Sequence, residues 1–187
     1  MTKTIRLQNW DYRNNGWYFV TICTRDRVCY FGDIVDCKME LSAIGKIARA
    51  FWQEIPQHSR YTSLDAYVLM PNHIHGIVII DRPDNSGRDV IYNVPTEISA
   101  DLTEDDFYQK MSKLSPKAGS LSVIMRSYKA AVSHSYRENG YSNFAWQPRF
   151  YESIIRSERD LENIQNYIVN NPANWSESKD NPINFEM

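Results

Sequence analysis

The stretch Met70-Pro71-Asn72-His73-Ile74-His75-Gly76 sets two imidazoles two residues apart. Alternate side chains of a strand share a face. If this segment is extended, His73 and His75 project side by side, and two neutral imidazoles so placed can grip one metal ion. The flanks predict that it is extended. Tyr67 to Met70 and Ile77 to Ile80 are apolar runs, and Pro71-Asn72 between them is turn chemistry, because proline presets φ and asparagine tolerates unusual backbone angles. A hairpin over about 65–81 follows, with the histidines at the start of its second strand. Alone, the pair is explained more simply as two hydrogen-bonded histidines on a half-buried strand.

A second set of polar residues lies near the C-terminus. At about 100° per residue, Asp160, Asn163, Tyr167 and Asn171 fall on one stripe of a helix. Ser157 caps that helix, Leu161, Ile164 and Ile168 form its buried side, and Pro172 stops it. By itself the stripe is an ordinary solvated edge. Set over the sheet, it lets Asn171 complete a His-His-amide site while Tyr167 points at whatever the ion holds. That arrangement suits phosphoryl transfer by a tyrosine nucleophile. A phenol of ordinary pKa, about 10, must be activated for it. Two imidazoles and an amide leave coordination positions open, which fits octahedral Mg²⁺ or Mn²⁺ better than a closed structural zinc.

Other residues compete for these roles. Tyr128 sits mid-stripe among apolar residues and reads as core, whereas Tyr151, on a strand, is a weaker candidate nucleophile than Tyr167. Arg126, Lys129 and Arg149 are candidates for phosphate contacts, with solvated charge the competing reading of each. Trp146 is a candidate to stack a base, with core packing the equal alternative.

The elements that must position these groups can be read in order. Trp17 to Thr24 is β-branched and aromatic and predicts a first strand. A charged connection, Arg25-Asp26-Arg27, leads to a short extended piece, 28–31, ending at Gly32. Helical spacing of Leu41, Ile44, Ile47, Ala48, Phe51 and Ile55 predicts a helix over about 40–55, with Pro56 after its end. The hairpin follows. Residues 82–119 show no period and read as a surface insertion or lid, with a short helix near 104–113. A helix over about 120–137, a strand at about 150–155 and the helix from Ser157 to about Asn170 come next, then a polar, loosely held tail after about 175. Strand, helix, hairpin, insertion, helix, strand, helix is an α+β order, with helices stacked on a largely antiparallel sheet.

Composition bounds the class. The 187 residues, 42% hydrophobic and 24% charged, suit one soluble globular domain spanning 1–187. No apolar run approaches the ~20 residues of a membrane span, and Met1 to Arg6 lacks the apolar core of a signal peptide, so a cytoplasmic protein is expected. Three cysteines, Cys23, Cys29 and Cys37, have no metal-binding or disulfide spacing and read as reduced packing residues. A net charge of −2 disfavours an indiscriminate binder of duplex DNA, although a local basic groove fits it.

Three separated segments carry a family resemblance: Met70 to Gly76, Trp146-Gln147-Pro148-Arg149-Phe150-Tyr151-Glu152, and Tyr167-Ile168-Val169-Asn170-Asn171-Pro172. Together they resemble the single-tyrosine HUH transposases of the insertion sequence 200/605 group, and in particular the REP-associated tyrosine transposases. "HUH" denotes His-hydrophobic-His, here His73-Ile74-His75. The resemblance spans about 5–175 outside the insertion. It implies a ferredoxin-like, RRM-like antiparallel sheet and a metal-dependent endonuclease and strand transferase acting on single-stranded DNA, with imperfect hairpins as targets and guide bases read beside the cleavage point. It also implies that His73 and His75 bind the metal, that Asn171, one turn beyond the nucleophile, completes the site, and that Tyr167 forms a 5′-phosphotyrosine and releases a 3′-hydroxyl. With one tyrosine per chain, strand exchange takes two protomers or two successive reactions, so a monomer and a homodimer both fit. The insertion and the acidic balance depart from the family pattern. Two alternatives stay open on sequence alone: a domesticated, catalytically silent binder of hairpin nucleic acid, and an unrelated metal-binding or structural α+β protein.

Overall fold

Strict alternation organises the first strand, β1 (Gly16–Cys23). Tyr18, Val20 and Ile22 are fully buried on one face, while Phe19 and Thr21 occupy the other. These features belong to a computed structural model that describes residues 14–83, 119–178 and 180–185. The expected insertion and its short helix fall almost wholly outside the described residues.

After β1, a hairpin of two short strands, β2 (Gly32–Val35) and β3 (Lys38–Leu41), turns through Asp36 and Cys37, both at positive φ (47° and 59°). Two successive positive φ values match the twist of a tight hairpin. This hairpin corrects the sequence reading, which puts the extended piece at 28–31 and starts the helix near Glu40. Leu41 fits the helical period but belongs to β3. Helix α1 (Ala43–His58) starts only after Ser42, whose hydroxyl accepts from the Gly45 amide at 3.0 Å. It also runs through Pro56 instead of ending before it. So close to the C-terminus, the missing proline N–H leaves only one carbonyl of the last turns without its partner.

β4 (Thr62–Met70) and β5 (His73–Ile80) form the predicted hairpin around Pro71-Asn72, with a one-residue bulge between Leu64 and Tyr67. Helix α2 (Leu121–Glu138), strand β6 (Tyr151–Ile155) and helix α3 (Glu158–Asn170) complete the order. The main sheet is antiparallel in the order β4-β5-β1-β6. Its chain order of β1, α1, β4, β5, α2, β6 is the split βαβ arrangement, the ferredoxin-like fold.

Register divides the sheet into two faces. Tyr18, Val20 and Ile22 of β1 lie opposite Val78, Gly76 and Ile74 of β5, and this face packs on α1 and α2 around the fully buried Trp52. The helices are tied to each other by Tyr128, which donates to the Ala48 carbonyl at 3.0 Å, and Tyr136, which donates to Ile44 at 2.8 Å. Cys23 and Thr21 lie opposite His73 and His75, which therefore occupy the other face. Helix α3 covers that face: its Tyr167 ring meets Phe19 edge-on at 6.1 Å, and Gln165 donates to Asp65 of β4 at 2.8 Å.

Candidate active site and metal centre

β5 presents the two histidines on the face that α3 covers. Their rings lie 4.5 Å apart, at 1% and 3% exposure. Each is oriented through Nδ1. His73 Nδ1 lies 2.7 Å from the side-chain oxygen of Asn72, and His75 Nδ1 lies 2.8 Å from Thr21 Oγ1, its cross-strand partner. The Asn72 oxygen can only accept, so His73 carries its proton on Nδ1 and keeps the Nε2 lone pair free. Burial lowers the pKa of both rings. It takes His73 well below the usual imidazole value, aided by His75 and then Arg27. His75 falls to about 4, through burial first, with Asp180 opposing and Arg27 adding to the effect. Both are neutral imidazoles at neutral pH, the form that ligates metal.

Helix α3 is fixed at its start by Ser157, whose hydroxyl accepts from the Asp160 amide at 3.1 Å. At its far end Tyr167 is half exposed (48%), and its hydroxyl lies 3.1 Å from His75 Nε2, with the rings 5.1 Å apart. Burial raises the phenol pKa; hydrogen bonding to Asn171 partly offsets this, and Asp180 adds to the rise. Asn171, one turn on, is 91% buried (9% exposed). Of the four buried polar side-chain atoms without a partner among the described residues, two are here: His73 Nε2 and Asn171 Oδ1. An orphaned buried acceptor costs about 1–3 kcal/mol, and both atoms are of the kind that a divalent cation takes as ligands. Asp160 and Asn163 of the same stripe are exposed.

Four further residues belong to this centre that the sequence reading did not select. Thr21 and Asn72 orient the histidines as described. Arg27 and Asp180 form an ion pair at 2.6 Å beside them. Among the described residues one group of side chains could hold an ion with His or carboxylate atoms alone: His73, His75 and Asp180, with all three donor atoms within 4.8 Å of one another. Asp180 lies in the segment expected to hang loosely. Instead that segment returns to the site. The Trp175 ring lies 6.1 Å from His73, Asn72 donates to the Asp180 carbonyl at 2.7 Å, and Asn181 is buried. Composition hid this, because a polar segment held by hydrogen bonds has the same residue types as a solvated one.

The candidate DNA contacts separate. Trp146 is buried among Phe31, Phe144 and Tyr128, with its N–H donating to the Lys129 carbonyl at 3.1 Å, so most of its ring packs in the core. Lys129 donates to the carbonyls of Gln147 and Arg149 at 2.7 and 2.8 Å, which makes it a clamp on the 147–149 loop. Arg126 and Arg149 are exposed. A groove of about 570 Å³ runs beside this loop, lined by Arg25, Lys129, Arg137, Asn143 and Gln147 and by no acidic residue. It adjoins the histidine end of the sheet, since Gln147 donates to Cys23, the strand partner of His73. Tyr151 lies on the same face as His75 but two strands away, across Thr21. At about 4.8 Å per strand that leaves Tyr167, among the described residues, as the tyrosine at the histidines.

No family model matches the chain. It is 33% identical to an uncharacterized protein of Haemophilus influenzae over 180 residues, 95% of this chain and 91% of that one. A second Haemophilus influenzae protein, named "Putative REP-associated tyrosine transposase", is 25% identical over 164 residues, 87% of this chain and 73% of that one. Among solved structures, a REP-associated tyrosine transposase bound to a REP hairpin superposes with a TM-score of 0.57 at 20% identity, covering 93% of this chain and 76% of that one. The last comparison bears on the fold, which it shares.

Proposed function

We infer that the chain is a REP-associated tyrosine transposase, a metal-dependent endonuclease and strand transferase of single-stranded hairpin DNA acting in the cytoplasm. The reading is supported by its likeness to the relative named "Putative REP-associated tyrosine transposase" and by the fold it shares with a solved one. One observation carries the reading: the Tyr167 hydroxyl stands 3.1 Å from His75 Nε2, and the His73 ring, 4.5 Å from that of His75, carries a buried Nε2 without a partner. His73, His75 and Asn171 would hold Mg²⁺ or Mn²⁺, which would supply charge stabilisation to the scissile phosphodiester. Tyr167 supplies the nucleophile. Its oxygen attacks phosphorus, the P–O3′ bond breaks, the 5′-phosphate stays on the tyrosine, and the 3′-oxygen leaves as a hydroxyl after taking a proton. Attack of a 3′-hydroxyl on that phosphotyrosine reverses the step and joins strands. Burial raises the pKa of the resting phenol, so the phenol must lose a proton for the attack. Asn72 holds His73 in the tautomer that leaves Nε2 available, and Thr21 orients the His75 ring, as the outer partners of a ligating histidine do.

The test is a covalent-adduct assay with Mn²⁺ on hairpins and their single-stranded flanks drawn from DNA beside the gene. Wild type and Tyr151→Phe should yield a protein–DNA band that survives denaturation, and Tyr167→Phe should yield none. An adduct that persists in Tyr167→Phe overturns the assignment of the nucleophile.

A further inference from the structure

Charge is what a site built of His73, His75 and Asn171 lacks. Two neutral imidazoles and an amide would receive a divalent cation with no negative group among them, on a largely buried face and beside the Arg27 guanidinium. Desolvating an uncompensated charge is expensive, and hard cations such as Mg²⁺ and Mn²⁺ take carboxylate oxygens first. The structure places one carboxylate where it would answer this. Asp180 contributes an oxygen within 4.8 Å of a nitrogen of each histidine, and its side chain is 13% exposed. Its backbone is pinned as well. The Asn72 side-chain amide donates to the Asp180 carbonyl at 2.7 Å and to the Arg27 carbonyl at 3.0 Å, while the oxygen of the same amide orients His73. One buried side chain thus fixes the position of a histidine, of the returning C-terminal segment and of the arginine that pairs with Asp180.

We propose that Asp180 is a ligand of the metal centre, delivered by the C-terminal segment and positioned by Asn72. The proposal rests on the reading of the histidines as a metal site and adds to it the group that supplies the charge. Arg27 holds one carboxylate oxygen, Oδ1, at 2.6 Å. A carboxylate offers about four lone-pair sites, so the pair with Arg27 and ligation of an ion are compatible. The buried, partnerless Nε2 of His73 points independently to a cation beside the same carboxylate.

The test reads metal directly, without DNA. Mn²⁺ alone is titrated into the full chain and the free ion followed by electron paramagnetic resonance, for wild type, His75→Ala and Asp180→Asn. Both variants should bind Mn²⁺ more weakly, Asp180→Asn by at least the ~10–100-fold that loss of an outer partner of a ligand costs. Asp180→Cys supplies a second, spectroscopic readout that also serves if Asp180→Asn folds poorly. With Cd²⁺ it should show a thiolate-to-metal charge-transfer absorption beyond that of wild type, whose exposed Cys29 and Cys37 set the baseline, and the increment should vanish when His73 and His75 are both replaced by alanine. If Asp180→Asn binds Mn²⁺ like wild type while His75→Ala does not, or if the Cys variant shows no such increment, Asp180 is no ligand and the histidine site stands without it. If wild type takes up no Mn²⁺, the metal reading itself falls, and this proposal with it.

Discussion

His75 Nε2 has two claimants. In the structure it faces the Tyr167 hydroxyl at 3.1 Å, and the proposed ion would need that nitrogen's lone pair. Removing the hydroxyl should therefore favour the ion. A net hydrogen bond is worth about 0.5–1.5 kcal/mol, so Tyr167→Phe should tighten Mn²⁺ binding by about twofold to tenfold while abolishing the DNA adduct. Weaker Mn²⁺ binding in that variant would mean that the phenol helps to hold the ion. At this scale the sequence was legible where local periodicity reports geometry. The two-residue period of a strand put His73 beside His75, and the turn of a helix put Tyr167 with Asn171. It was silent where partners meet through space. Asn72 read only as a turn former, although its amide makes three contacts, and nothing near Asp180 marks it as a neighbour of residues more than a hundred positions earlier.

β5 serves core and site at once, one face each, and its glycine shows how closely the two are coupled. Gly76 follows His75 and faces α1. A Cβ there would lie 2.4 Å from Trp52 Cζ2 and 3.1 Å from Tyr67 Cβ. Trp52 is fully buried, so its indole has little room to yield. Gly76→Ala should destabilise the fold by about 1–3 kcal/mol, the usual cost of overpacking, seen as a lower urea midpoint with an unchanged slope. An unchanged midpoint would show that the indole moves aside freely. Sequence captured this element well because apolar alternation and Pro-Asn turn chemistry agree. The β2–β3 hairpin escaped because its turn residues, Asp36 and Cys37, are not the usual Asn-Gly, and because Leu41 also fits the period of the helix that follows.

Across the whole molecule the charges are segregated more than the totals suggest. The chain carries 21 basic and 23 acidic residues, yet the groove lined by Arg25, Lys129 and Arg137 holds no carboxylate and ends beside the histidine end of the sheet. An acidic protein that works on DNA needs such a local concentration of cations, because each phosphate it neutralises releases counterions whatever the net charge. Lys129 is engaged with two carbonyls, which leaves Arg25 and Arg137 as the lining cations to track a strand. Replacing both with alanine should weaken binding of a single-stranded DNA hairpin. It should also flatten the dependence of log affinity on log salt by about 1.4, at about 0.7 per lost phosphate contact on a single strand. Mn²⁺ affinity, measured without DNA, should not change, since the groove and the metal centre use different residues. An unaltered salt slope in the double variant would place the phosphate track elsewhere, with the exposed Arg126 and Arg149 the next cations to remove.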